Sequence, residues 1–147
     1  MPALAAGCGS EGSLAPSTAP LREGTQVSPQ RYLADAAAAA AAVSDFSIAL
    51  ASVGEVARPV TLRRAAPELR ASLERVAALS ARLDAQRLQD RRLEVQRDRA
   101  ADALDAVLTA MTQVVEAAEA GDGAAAAAAA GEYSTAVGVL RSLAPPS

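Results

Sequence analysis

Histidine, lysine and tryptophan are absent from the chain, and cysteine occurs once, at Cys8. The missing histidine removes the commonest general base and metal ligand, and a lone cysteine forms no internal disulfide. Redox, zinc and Cys/His nucleophile chemistry therefore drop out of the expected functions, and no cofactor or metal is expected. Tyr32, Phe46 and Tyr133 are the only aromatics, which leaves nothing on which single-stranded nucleic acid would stack. Strand-forming residues are scarce throughout, so no segment reads as a sheet. Neither a nucleophile elbow nor a Gly-rich phosphate loop is present.

What remains is a chain of 147 residues whose apolar content is almost wholly Ala, Leu and Val. That length suits one domain with its own core, and Ala is the best helix former of all. A core of such small side chains requires closely approaching helices. The formal charge of −3 is unevenly spread: Arg58 to Arg99 holds eleven Arg against six acids, the remainder three Arg against eleven acids.

Residues 1–27, rich in Ala, Gly, Ser, Pro and Thr and broken by Pro16 and Pro20, read as a flexible tether. The helical domain is expected over 28–144. Ser28 offers an N-cap oxygen and Pro29 suits a first helical position. Tyr32, Ala36, Ala39, Val43, Phe46, Leu50, Val53 and Ala57 then recur at spacings of four and three, which predicts a helix over about 29–57 with Asp35, Asp45 and Glu55 off its apolar stripe. Arg58-Pro59 ends it. Pro67 reads as the start of a second helix, about 67–87, with a stripe through Leu69, Leu73, Val76, Leu79 and Leu83.

Continued further, that seam would present Arg87, Asp90, Glu94 and Arg97, charges that a buried seam accepts only at high cost. A corner is therefore expected near Leu88 to Arg92, with a third helix over about 91–120 capped by Asp90. The rival is one continuous helix about 80 Å long, unusual for a globular domain. Gly121-Asp122-Gly123 predicts a tight reversal, and a last helix follows over about 123–143, ending before Pro145-Pro146. Gly131 and Gly138 weaken it or allow close contact with a neighbour. The expected fold is all-α, an antiparallel up-down four-helix bundle on a disordered N-terminal tether.

Leu4-Ala5-Ala6-Gly7-Cys8, followed by Gly9-Ser10-Glu11-Gly12-Ser13, resembles the lipobox of bacterial lipoproteins and the flexible stretch behind it. Ala5 stands where Leu is most usual, and the basic and apolar segments of a full signal are expected upstream of Met1. With its Ala-rich helices and Gly-Asp turn before the last of them, the chain is similar to actinobacterial helical-bundle lipoproteins. That resemblance implies diacylglycerol on Cys8, an anchor on the outer face of the cytoplasmic membrane and an envelope partner or ligand. It transfers no active site.

Arg82, Arg87, Arg91, Arg92, Arg97 and Arg99 form a candidate phosphate-binding stretch. Interleaved Asp84, Asp90, Glu94 and Asp98 make it read instead as a solvated surface of mutual ion pairs, with no nucleic-acid partner. Asp98, Asp102 and Asp105 fall on adjacent turns but away from the stripe through Leu104 and Met111, so they are expected in solvent and not around a metal. The first helix has the apolarity of a membrane span, but its acids mark it as a core helix. Taken together, these readings favour a non-catalytic binding or scaffolding module of the cell envelope. The alternative is a soluble cytoplasmic protein, a homodimeric regulatory or assembly factor; an enzyme using only carboxylates and Arg ranks third.

Overall fold

A computed structural model describes residues 21–54 and 57–143. Four helices make an antiparallel up-down bundle: α1 (Pro29–Val53), α2 (Pro59–Ala85), α3 (Arg91–Ala120) and α4 (Gly123–Ser142). They pack in chain order, α1 on α2, α2 on α3 and α3 on α4. Three N-termini are closed by side chains: Ser28 Oγ accepts from Arg31 N, Asp90 from Arg92 N and Leu93 N, and Asp122 from Ala125 N. Gly121 takes the left-handed conformation (φ 69°) at the end of α3 and turns the chain into α4.

Two boundaries differ from those expected. The first helix stops at Val53, where Gly54 adopts φ 88°, short of the Arg58-Pro59 break. The second starts eight residues before Pro67, at Pro59, because Arg58 is held extended ahead of a proline that serves as the first helical residue. Its buried stripe begins at Leu62 and Ala66, ahead of Pro67. Pro67 itself lies on the exposed face, where water can serve the carbonyl that a proline cannot.

The chain does break between α2 and α3, so the continuous helix is ruled out. Gln86 and Arg87 are extended and form a two-residue strand, β2, paired in parallel with β1 (Thr25–Gln26) in the register Thr25↔Gln86 and Gln26↔Arg87. Val27 N adds a bond to Arg87 O at 3.0 Å. A short sheet thus exists where none was expected, and it fastens the segment before α1 to the α2–α3 corner.

The core runs along the bundle axis. α2 and α3 supply its bulk through Leu62, Leu69, Val76, Leu83, Leu104, Val107, Met111, Val114 and Val115. α1 and α4 supply five Ala together with Tyr32, Val43, Val137, Phe46 and Tyr133; the rings of the last two meet at 5.0 Å and 54°. Outside the core, Arg70 on α2 grips Glu119 on α3 through two bonds of 2.7 and 2.8 Å. The pair holds the Glu119 carboxyl below and the Arg70 guanidinium above their ordinary values.

Candidate functional site: an apolar groove beside a buried polar cluster

The buried face of α1 is rotated from the stripe expected. Tyr32, Asp35, Ala39, Ala42, Val43, Phe46 and Ala49 are buried, while Ala36, Leu50 and Val53 are only half covered. α1 packs on α2, and the side-chain bonds it makes to α4 among the described residues run to Tyr133. Tyr133 Oη donates to Val43 O at 2.9 Å and lies 2.7 Å from Ser47 Oγ. Burial raises the Tyr133 phenol above its usual value, an effect partly offset by the Ser47 bond.

Either side of this bridge the seam between α1 and α4 stands open. Toward the end of the bundle where α1 begins, a groove of about 350 Å³ is lined by Tyr32, Leu33, Ala36, Ala40 and Val43 of α1 and by Val137, Leu140 and Arg141 of α4. Leu83 of α2 and Gln96, Ala100 and Leu104 of α3 also line it. Toward the other end, Leu50, Val53, Leu62, Ala126 and Ala130 border a second hollow of about 440 Å³, with no charged lining residue among the described residues. Small side chains on both helices leave these spaces unfilled. Gly131 and Gly138 contribute no close approach: a Cβ at either would meet nothing within 4 Å.

A polar cluster is buried at the end where the first groove lies. Asp35 accepts from Arg31 Nε at 3.3 Å, from Arg82 Nη2 at 3.5 Å and, by a short bond, from Gln86 Nε2. Arg82 is 1% exposed and Gln86 fully buried. Gln86 Oε1 has no hydrogen-bond partner among the described residues. A few residues on, Arg97 donates to Leu83 O at 3.0 Å and to Glu94 Oε2 at 2.7 Å, while Glu94 Oε1 accepts Leu88 N at 2.9 Å. Arg97 and Glu94 therefore close the α2–α3 corner, satisfying a carbonyl at the end of α2 and an amide between the helices. The hydrogen bond from Arg97 keeps Glu94 below the ordinary carboxylate range. Tyr32 is shifted upward by burial, against a smaller opposing effect of the Arg97 charge.

The Arg-rich stretch is thus not one solvated surface. Arg82 and Arg97 are interior structural groups, Arg87 donates to Asp84 O and Gln86 O, and Arg91, Arg92 and Arg99 are exposed. Asp98, Asp102 and Asp105 are exposed on α3. Asp105 accepts from Ser80 Oγ at 3.3 Å, and partial burial, with Asp84 and Asp102 nearby, raises its carboxyl. Among the described residues no group of three or more acids or cysteines converges on a possible metal position. Cys8 and its motif lie outside the described residues.

One signal for the buried acid was present: Asp35 stands three residues after Tyr32 and four before Ala39, in phase with the buried face. Arg97 had already fallen on the extrapolated seam. Nothing in the local pattern singled out Gln86. No protein-family model matches the chain, and neither a curated protein nor a solved structure matches it.

Proposed function

We propose that the chain is a cell-envelope lipoprotein, carried on the outer face of the membrane by diacylglycerol on Cys8, and that its bundle is a binding module without catalysis. The observation that carries the location is the only cysteine of the chain, set directly behind Leu4-Ala5-Ala6-Gly7. What supports binding is the open apolar seam between α1 and α4, a concave surface with few polar groups. Its neighbouring charged side chains, Asp35, Arg82, Glu94 and Arg97, are engaged in holding helices together.

The test is the intact N-terminal mass of the protein recovered from its native host, expressed with its upstream sequence. A terminus at diacylated Cys8 in the membrane fraction is the expected result. A chain starting unmodified at Met1 or Pro2 in the soluble fraction overturns the reading in favour of a cytoplasmic homodimeric factor. That second reading draws on Leu33 and Ile48 of α1 and Val139 of α4, large apolar side chains 53%, 66% and 53% exposed. Sedimentation of the full chain measures it directly.

A further inference from the structure

We infer that the groove at the α1 N-terminal end is a site for one medium-chain fatty acid, its alkyl chain lying between α1 and α4 and its carboxylate on Arg141. The inference rests on the reading of the bundle as a binding module, but not on the modification of Cys8. Shape restricts the ligand first. The groove follows α1 from Tyr32 to Ser44, twelve residues or about 18 Å at the helical rise. At about 350 Å³ it falls at the small end of ligand sites, fit for a single chain and too small for a two-chain lipid.

Lining chemistry restricts it further. Ala, Leu and Val make most of the wall, which no polar ligand would exchange for water. Among the described residues Arg141 is the one charged group on the wall, in a chain of net charge −3. A neutral hydrocarbon leaves that cation unused, whereas a carboxylate meets a guanidinium in two parallel hydrogen bonds. Gln96 supplies a further donor on the wall.

Position agrees with shape. The β1–β2 pairing fixes residues 25–27 at the α2–α3 corner, so the N-terminal segment leaves the bundle at the end where Leu83 and Gln96 line the groove.

The experiment is calorimetric titration of the full, unlipidated chain with dodecanoate, dodecanol and acetate. Saturable one-to-one binding is expected for dodecanoate, weaker binding for dodecanol and none for acetate. Arg141→Gln, an exposed substitution, should weaken dodecanoate about two- to fivefold, the range of a solvent-exposed ion pair, and leave dodecanol unchanged. Ala40→Phe, on the exposed side of α1, should abolish both by filling the groove while the helical spectrum is retained. Absence of saturable dodecanoate binding overturns the proposal, as does an equal loss of dodecanoate and dodecanol on Arg141→Gln. A chain that sediments as a dimer and takes up no dodecanoate reassigns the groove to a second copy. Because the protein tested carries no lipid, failure here leaves the N-terminal mass result standing, and the reverse also holds.

Discussion

Removing the Asp35 carboxylate is the most searching perturbation of this fold. The group is 6% exposed and accepts from Arg31, Arg82 and Gln86. Its contacts differ greatly in worth. Arg31 is one-third exposed and four residues away on the same helix, an arrangement worth about 0.3–0.5 kcal/mol. Arg82 is 1% exposed and would lose one of its partners, and breaking a buried ion pair costs at most about 3–5 kcal/mol. Gln86, fully buried, loses its acceptor as well, but these losses share one site and do not simply add. Asp35→Ala should therefore lower the unfolding free energy by up to about 3–5 kcal/mol, and Arg31→Ala by about 0.5 kcal/mol or less. Urea denaturation followed by helical ellipticity reads both, with the slope checked for two-state behaviour. The double variant Asp35→Leu/Arg82→Met should recover most of the loss of Asp35→Leu, since apolar replacement of a whole buried pair is often neutral or better. A cost below about 1 kcal/mol for Asp35→Ala, or strict additivity in the double variant, would refute a buried and coupled cluster.

Phe46→Ala should cost about 3–5 kcal/mol, because the ring is fully buried against Tyr133 and truncation leaves a cavity; thermal melting measures it, and a near-zero change would place the ring at the surface. Tyr133→Phe should cost about 1 kcal/mol through loss of the bonds to Val43 and Ser47. Because the folded phenol titrates above its unfolded value, its stabilising effect is complete below pH 10 and fades above that; the alkaline loss should shrink in Tyr133→Phe. Glu94 shows the opposite sign. Its folded value lies below the ordinary 4.5, so its contribution is present above that pH and vanishes as acid protonates it. Glu94→Gln should destabilise at neutral pH and flatten the acid limb of the stability profile, as read by urea midpoints across pH 2–7.

The helices were legible in the sequence wherever a local device fixed them. Ser28-Pro29, Asp90 and Gly121-Asp122 each state a helix end through a side-chain oxygen, a fixed φ or a left-handed residue. Pro67 misled because a proline is both a good first residue and, on an exposed face, a tolerated interior one; the apolar stripe through Leu62 and Ala66 was the better guide. Counting charges recognised the α2–α3 corner but misjudged its occupants. Arg97 and Glu94 interrupt the seam and are also the groups that satisfy the backbone where it breaks. That the small side chains of the first and last helices could leave a groove between them was readable, but core packing explained the same pattern equally well, and no periodicity says how far α4 stands from α1.

The two-residue ladder between Thr25–Gln26 and Gln86–Arg87 has a mechanical consequence. Tension applied at the N-terminal segment does not reach the first turn of α1 directly. It loads the ladder, which passes the force to the corner stapled by Arg97 and Glu94, in the middle of the chain. Force is thereby shared between α1 and the α2–α3 hairpin, and the first event under load is the shearing of a few backbone bonds while the helices stay packed. The ladder is a strain relief, in the sense of a clamp on a cable.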